Sequence, residues 1–263
     1  MYYYLYDTFL ADKKYEKTID RIKTRLLDLE IQGKHERLTL LKSIDELIND
    51  EVKKGISTVI AVGNDKTFLK LVDVAAKNGV TLGLIPIGEQ NSLAKCFGVP
   101  MEDAACEVIA ARKIVKFDLG KINNLYFFSN LKINKNLERL TIEKDNYKIV
   151  PRPECAEAAV YNFYFEAGEE RIERTLKKST AQDQKLELVI KTKDRKRHWY
   201  SIRRDGRPRV DSVIQGASFA IKSFEYLPVL LDDFKIIKTP VVVKVEPLKL
   251  NVIVGKNRLK TIR

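Results

Sequence analysis

The sequence contains little cysteine and histidine, which limits the chemistry that it can carry. Its three cysteines form no Cys-x-x-Cys pair, and its two histidines, His35 and His198, lie far apart. An odd, scattered set of cysteines argues against a disulfide framework, and so few thiols and imidazoles offer no donor set for zinc. We therefore expect no metal site built from His or Cys, and we interpret the cysteines as core thiols.

Long hydrophobic runs are also missing. A bilayer-spanning helix needs roughly 18 consecutive apolar residues, whereas apolar stretches such as 58–62 and 81–87 are short and flanked by polar residues. The first residues lack the basic and apolar regions of a secretory signal peptide. These absences predict a cytoplasmic protein without a transmembrane helix.

Charge is what the sequence has in abundance. Of the 263 residues, 44% are hydrophobic and 32% are charged, which is typical of a folded globular protein rather than a disordered chain. The 48 Lys and Arg residues exceed the 36 Asp and Glu residues, so the net charge is +12. Such an excess predicts attraction to polyanions, which include nucleic acid, acidic membrane surfaces and phosphorylated ligands.

Residues 1–112 alternate between strand and helix patterns. Helix boundaries are marked by Ser43 and Glu46, which form a capping-box pattern, and by Gly55 and Gly79, which are typical of helix ends. This alternation predicts an α/β domain with an open parallel sheet and helices on both faces. The predicted strands are 2–6, 35–40, 58–62 and 81–87, and the predicted helices are 12–32, 43–55, 68–78, 91–97 and 100–112.

From residue 113 onwards the pattern changes to short strands without intervening helices. We therefore predict two domains, an α/β domain at 1–112 and an antiparallel, β-sandwich-like domain at 113–263, with the last strand a candidate to return to the first domain. Segment 169–181 fits a short helix and a loop equally well. Oligomeric state has no signal in the sequence. The predicted strands of this half are 114–119, 125–133, 158–165, 186–192, 198–203, 210–222 and 241–245.

Two turns of the first half are candidates for ligand binding. Residues 62–67 read Val-Gly-Asn-Asp-Lys-Thr, and residues 86–91 read Pro-Ile-Gly-Glu-Gln-Asn. Each follows an apolar strand and opens a helix. In a parallel sheet such turns lie beside each other at the carboxyl edge, where backbone N–H groups and helix N-termini bind phosphate oxygens.

These two turns resemble those of the diacylglycerol kinase catalytic-domain family, which includes lipid and sphingosine kinases and is distantly similar to NAD kinase. That family carries Gly-Gly-Asp-Gly-Thr and then, one helix and one strand later, Pro-x-Gly-Thr-x-Asn. The motif similarity covers residues 58–100, and the β-rich second half is similar in architecture only. The resemblance implies ATP and Mg²⁺ as cofactors, a lipid hydroxyl as phosphate acceptor and Asp65 as a catalytic residue. It also implies a nucleotide site formed by Gly63, Asn64, Asp65, Lys66, Thr67, Gly88, Glu89 and Asn91.

The sequence departs from the family pattern at three positions. Asn64 and Lys66 replace glycines, and Glu89 replaces a threonine that would donate to a phosphate. Asn64 tolerates a left-handed backbone, and Lys66 adds a cation beside the phosphate position, but the Glu89 carboxylate repels an anion or fills the turn itself. Asp65 fits the N-cap of the following helix as well as it fits a general base.

The family's late Asp-Gly-Glu turn is also altered. Its two counterparts, Asp232-Asp233-Phe234 and Asp205-Gly206-Arg207, both lack the glutamate. Phosphoryl transfer needs a positioned base and metal-binding carboxylates, so an ATP-dependent lipid kinase and a degenerate kinase fold that binds nucleotide or polyanion without turnover both stay open.

The segment 191–209 carries nine basic and two acidic residues around Trp199 and Tyr200. Clustered basic and aromatic side chains fit a peripheral contact with an anionic membrane, or less well a nucleic-acid backbone, whereas most charge runs are merely solvated. The candidate surface residues are Lys191, Lys193, Arg195, Lys196, Arg197, Arg203, Arg204, Arg207 and Arg209.

Overall fold

A computed structural model describes residues 1–39, 43–165, 182–192 and 212–259 of the protein. Strands and helices alternate in the first part, as the sequence predicts. Among the described helices, none has the length and apolar character needed to cross a bilayer. The elements are β1 (Tyr2–Tyr6), α1 (Glu16–Asp28), β2 (Gly33–Arg37), α2 (Ile44–Lys53), β3 (Thr58–Gly63), α3 (Asp65–Asn78), β4 (Thr81–Pro86), α4 (Ser92–Phe97) and α5 (Ala105–Ala111).

The first helix is shorter than the predicted span 12–32. Asp12 does not cap it, because its carboxylate accepts a hydrogen bond from the N–H of Lys14 and caps a 3₁₀ turn at Lys13–Tyr15. The α-helical hydrogen bonds therefore start only at Glu16. The predicted end of α3 is confirmed. Gly79 follows its last residue and adopts a left-handed conformation with φ of 66°.

Four parallel strands form the first part of the main sheet, in the order β2-β1-β3-β4. Every residue of β3 and β4 is buried. Helices on both faces leave these strands no solvent-facing side, which explains why their sequences are nearly continuous apolar runs rather than alternating patterns. The predicted α/β class is confirmed.

The second part is antiparallel and built from twelve strands of the described residues. They form the rest of a ten-stranded sheet and a separate six-stranded sheet with the order β12-β11-β10-β7-β14-β15. The strands are β5 (Ile114–Ile122), β6 (Leu125–Phe127), β7 (Asn130–Ile133), β8 (Leu140–Lys144), β9 (Tyr147–Ile149), β10 (Cys155–Tyr161), β11 (Leu186–Thr192), β12 (Ser212–Gly216), β13 (Ser218–Ser223), β14 (Pro228–Leu231), β15 (Lys235–Lys238) and β16 (Val241–Ile253).

Strand β16 connects the two parts. Its early residue Val243 pairs with Phe219 of β13 and with Ile122 of β5, both antiparallel. Nine residues later, Val252 pairs in parallel with Leu82 of β4. A single 13-residue strand thus carries the second half back to the parallel strands of the first.

Two predicted strands are each divided in two. The prediction 125–133 is wrong at Phe128 and Ser129, because the Asp232 carboxylate accepts their backbone N–H groups and removes them from a strand ladder. The described part of 210–222 is divided into β12 and β13, which lie in different sheets. The predicted strand 198–203 and the undecided segment 169–181 lie outside the described residues.

Five phenylalanines form one aromatic cluster between the parallel and antiparallel parts. Phe68 of α3 and Phe97 of α4 contact each other, and both contact Phe128. Phe97 also contacts Phe117 of β5, and Phe163 completes the group by packing on Phe117 and Phe128. Neighbouring ring centroids are 5.4 to 6.0 Å apart. Such edge-to-face packing adds to the area that the rings bury, so this cluster fixes α3 and α4 against the β-rich half.

We expect Phe128→Ala to lower the free energy of unfolding by about 3–5 kcal/mol, because it removes a fully buried ring at the centre of this cluster. Phe224→Ala is the matched control, since Phe224 is 98% exposed and its truncation is expected to change stability by less than about 0.5 kcal/mol. Urea unfolding followed by circular dichroism measures both. Equal effects of the two substitutions would contradict the assigned core.

Candidate functional site

The candidate site lies at the carboxyl edge of the parallel sheet, where three segments meet. Asp7 follows β1, Gly63–Thr67 follows β3, and Gly88–Asn91 follows β4. Backbone hydrogen bonds join them, from the N–H of Asp7 to Val62 (3.0 Å), from Ile87 to Gly63 (2.8 Å) and from Asp65 to Gln90 (3.0 Å). The two turns predicted from the sequence are therefore neighbours in one surface.

The first turn is held by a capping box. The side chain of Asn64 accepts a hydrogen bond from the N–H of Thr67, and the Thr67 hydroxyl accepts one from the N–H of Asn64. Gly63 is required for this arrangement, since a Cβ there would lie 2.3 Å from Thr67 Oγ1. The left-handed conformation considered for Asn64 is not used, because its backbone is extended with φ of −113°.

Asp65 caps a helix, but not the one that follows it. Its carboxylate accepts hydrogen bonds from the backbone N–H groups of Ser92 (2.7 Å) and Leu93 (2.9 Å) in the first turn of α4. The residue is only 8% exposed. The N-cap of α3 is instead Asn64. Both carboxylate oxygens of the candidate catalytic residue thus have partners in a neighbouring helix.

A second buried carboxylate, that of Asp7, lies behind the first turn. It accepts hydrogen bonds from the Thr67 hydroxyl (2.8 Å) and from the Lys70 ammonium (3.2 Å). Burial by itself raises the pKa of Asp7, but the hydrogen bond from Thr67 and the charge of Lys70 outweigh it and hold the pKa below its ordinary value. Sequence analysis missed Asp7, although its position directly after a strand of the parallel sheet was a usable signal.

The second turn is tightly built but carries an exposed carboxylate. Gly88 has φ of 79° and Gln90 has φ of 61°, so both occupy the left-handed region. The Asn91 amide nitrogen donates to the carbonyl of Gly88 at 2.8 Å, while its buried carbonyl oxygen has no hydrogen-bond partner in the described part of the chain. Glu89 is exposed. The possibility that Glu89 fills the turn is not realised, since Asp65 occupies the helix N-terminus.

The side chains of the predicted site form an exposed layer and a buried layer. Lys66 and Glu89 are exposed at the surface, whereas Thr67 and Asp65 are buried beneath them. The structure brings all the predicted nucleotide-site residues to one edge. Their assignment to a nucleotide stays a prediction.

The late turn at 232–234 supplies no free acid. The Asp232 carboxylate accepts hydrogen bonds from the N–H groups of Phe128, Ser129 and Asn130 at 2.7 to 3.1 Å. Its neighbour Asp233 forms an ion pair with Lys132. This turn therefore ties β14 to the junction before β7. The alternative turn, 205–207, lies outside the described residues.

The described side chains do not fit a protein-held Mg²⁺. They contain no group of three or more His, Cys, Asp or Glu residues arranged to bind a metal. Of the three carboxylates at the turns, Asp7 and Asp65 already accept hydrogen bonds from protein groups, which leaves Glu89 alone. Mg²⁺ is held in proteins by carboxylates and substrate phosphates, and these side chains alone do not form a site for it.

Most of the basic segment 191–209 lies outside the described residues. Of its nine basic residues only Lys191 is described, at the end of β11, where its ammonium forms an ion pair with Glu157 at 2.9 Å. The candidate surface residues Lys193, Arg195, Lys196, Arg197, Arg203, Arg204, Arg207 and Arg209 stay predictions.

The chain is similar in sequence and in fold to known proteins. The diacylglycerol kinase catalytic domain matches residues 4–122 of the chain. The resemblance to this family is confirmed. That match begins within β1 and contains both turns, the strands β2 to β4 and the helices α1 to α5.

Lipid kinases are among the similar curated proteins. A protein named "Probable lipid kinase YegS-like" from Yersinia enterocolitica is 27% identical over 101 residues, which are 36% of this chain and 34% of that protein. Its namesake from Citrobacter koseri is 31% identical over 115 residues, which are 41% of this chain and 38% of that protein. The matched segments span little more than a third of these relatives.

The likeness in fold extends further than the likeness in sequence. A crystal structure of a diacylglycerol kinase from Bacillus anthracis superposes with a TM-score of 0.73 and covers 98% of each chain, at 16% sequence identity. The β-rich half therefore shares the diacylglycerol kinase fold as well.

We expect Asp65→Ala to lower the free energy of unfolding by about 1–3 kcal/mol, because two N–H groups of α4 lose their acceptor. Asp65→Asn keeps one acceptor oxygen and is expected to have a smaller effect. Asp20→Ala, at an exposed position of α1, serves as the control. Urea unfolding at neutral pH measures all three. Wild-type stability in Asp65→Ala would contradict the capping role.

Asp232 predicts a pH dependence of stability. Burial raises the pKa of its carboxyl from 3.8 to about 6, against the opposing effect of its three backbone hydrogen bonds. Between these two values the folded state holds a proton that the unfolded state releases, so the contribution of Asp232 to stability falls as pH rises from about 4 to 6. The difference in unfolding free energy between wild type and Asp232→Asn should change over this range. A pH-independent difference would contradict the assignment.

Proposed function

We propose that the protein binds the phosphate groups of a nucleotide at the edge formed by its two turns, and that it does so without rapid phosphoryl transfer. The observation that carries this proposal is the engagement of the Asp65 carboxylate by α4. A carboxylate with both oxygens hydrogen-bonded to buried backbone groups is a poor general base, since accepting a proton would weaken those charge-assisted bonds.

The surface layer of the turns supports binding of an anion. Lys66 is exposed in the first turn of α3, a 14-residue helix whose N-terminus carries partial positive charge. Gly88 to Gln90 form the adjacent turn. The backbone of this turn lies close to the start of α3, because the N–H of Asp65 donates a hydrogen bond to the carbonyl of Gln90. An ammonium group beside backbone N–H groups is suited to phosphate oxygens.

Glu89 opposes this binding. Its exposed carboxylate stands in the turn where the family has threonine, so it repels phosphate and provides no hydroxyl donor. We therefore expect weak nucleotide affinity in the natural sequence. The turn at 232–234 has Phe234 where the family has a glutamate, so it offers no acid to assist phosphoryl transfer.

The second candidate function is an ATP-dependent lipid kinase. It is favoured by the catalytic-domain match at residues 4–122 and by the lipid-kinase names of the relatives. A lipid acceptor would be met at an anionic membrane surface, to which the basic segment 191–209 contributes charge. Nucleic acid is a less favoured partner of that segment.

We expect Glu89→Thr to strengthen nucleotide binding, because it removes the repelling carboxylate and restores a hydroxyl donor. ATP with Mg²⁺ at 100 times the dissociation constant adds about 2.7 kcal/mol of stability, which should raise the melting temperature by roughly 5–10 °C. The variant should reach that shift at a lower ATP concentration than wild type. Glu154→Thr, an exposed site in the β-rich half, is the charge-matched control.

Two outcomes would overturn the proposal. If ATP shifts neither wild type nor Glu89→Thr, the turns do not form a nucleotide site. If wild type transfers the γ-phosphate of ATP rapidly to diacylglycerol in anionic vesicles, the lipid-kinase function is the correct one. Binding with no transfer above the protein-free rate supports the proposal.

A further inference from the structure

We propose that a groove on the first half of the molecule, away from the two turns, binds a single-chain alkyl phosphate. The groove lies between α4, α5 and the segment 254–257 that follows β16, and its volume is about 860 Å³. This volume is within the range of small-molecule sites, roughly 300–1,000 Å³. The proposal goes beyond the nucleotide function and does not depend on it.

Two glycines make the groove possible. The segment after β16 is pinned to α4 by the hydrogen bond from the N–H of Gly255 to Phe97 (2.8 Å) and by that from Leu259 to Cys96 (2.9 Å). A Cβ at Gly255 would lie 1.9 Å from the carbonyl oxygen of Gly98, and one at Gly98 would lie 2.4 Å from the backbone nitrogen of Arg258. Only glycine at both positions lets this segment form a wall so close to the end of α4.

The interior of the groove is apolar and made of small side chains. Ala104, Val108 and Ala111 follow one another at spacings of four and three residues, and so share one face of the α5 region. Val99 and Val254 line the other two walls but are themselves buried, so the accessible apolar surface comes mainly from the α5 region. Small residues leave the space open, and an alkyl chain placed there would bury its methylene groups against them.

The rim of the groove is positively charged. Lys95 of α4, Lys113 before β5 and Lys256 after β16 all line it and are exposed. The single carboxylate among the lining residues, Glu107, forms an ion pair with Arg25 of α1. Three ammonium groups from three separate segments, with the one acid neutralised, complement a doubly charged phosphate head group.

This combination selects the occupant. A free nucleotide phosphate would leave the apolar walls unfilled, and a neutral lipid would leave the three lysines without an anion. The four residues that follow Leu259 in the sequence are a poor occupant of the groove. They include Lys260 and Arg263, whose positive charges the lysines of the rim would repel. A single alkyl chain that ends in phosphate matches both the apolar walls and the rim.

The test measures binding of dodecyl phosphate, below its critical micelle concentration, to the full chain without nucleotide, by calorimetry and thermal shift. We expect saturable binding. The double variant Lys95→Glu/Lys256→Glu should weaken binding by about thirty-fold, since each lysine near an anionic head group contributes roughly a fivefold step. Lys17→Glu/Lys148→Glu changes two exposed lysines elsewhere by the same charge and should leave affinity unchanged.

Further arms separate the head group from the chain. Ala104→Trp and Ala111→Trp, at exposed positions, should block the groove without disturbing the core. Inorganic phosphate should bind at least tenfold more weakly than dodecyl phosphate, and dodecyltrimethylammonium should not compete with it. Equal binding of inorganic phosphate, equal binding of the cationic amphiphile, or no effect of the lysine and tryptophan variants would each overturn the proposal.

Discussion

The hydrogen bonds from α4 to the Asp65 carboxylate are the interaction on which the candidate site depends. They cross 27 residues of sequence, from Asp65 to Ser92, and fix the start of one helix against the start of another. Because the carboxylate is buried, its charge is stabilised by the two N–H groups and by the dipole of α4 rather than by water. The turns at 63–67 and 88–91 are thereby locked in one relative position, and the anion-binding end of α4 is occupied by the protein's own anion.

That internal anion changes how the family motif is to be understood here. An acidic residue between glycine and threonine at the end of a strand suggests chemistry on a bound phosphate, yet the same carboxylate can serve the fold by replacing the phosphate at a helix N-terminus. The surface layer above it is nearly balanced in charge, with Lys66 against Glu89. The strong positive charge of the chain is therefore not concentrated at these turns.

Much of the fold could be predicted from the sequence, because its signals are local. Apolar runs such as 58–62 and the glycine at position 79 mark strands and helix ends through the chemistry of neighbouring residues. The site was predicted less completely. The contact between Thr67 and Asp7 spans 60 residues and arises only when β1 and β3 pair in register. The division of 125–133 likewise depends on Asp232, more than 100 residues away, so no local pattern contains it.

Helix α4, only six residues long, contacts the turns at its N-terminus and the wall of the groove at its C-terminus. Its first N–H groups bind Asp65, while its last carbonyls accept the N–H groups of Gly255 and Leu259. A helix this short has little stability of its own, so its position is set by these two ends and by Phe97 in the aromatic cluster. The contacts at the two ends therefore hold α4 in place together. Lys95 lies between the ends and lines the groove, which makes α4 the structural element that both surfaces share.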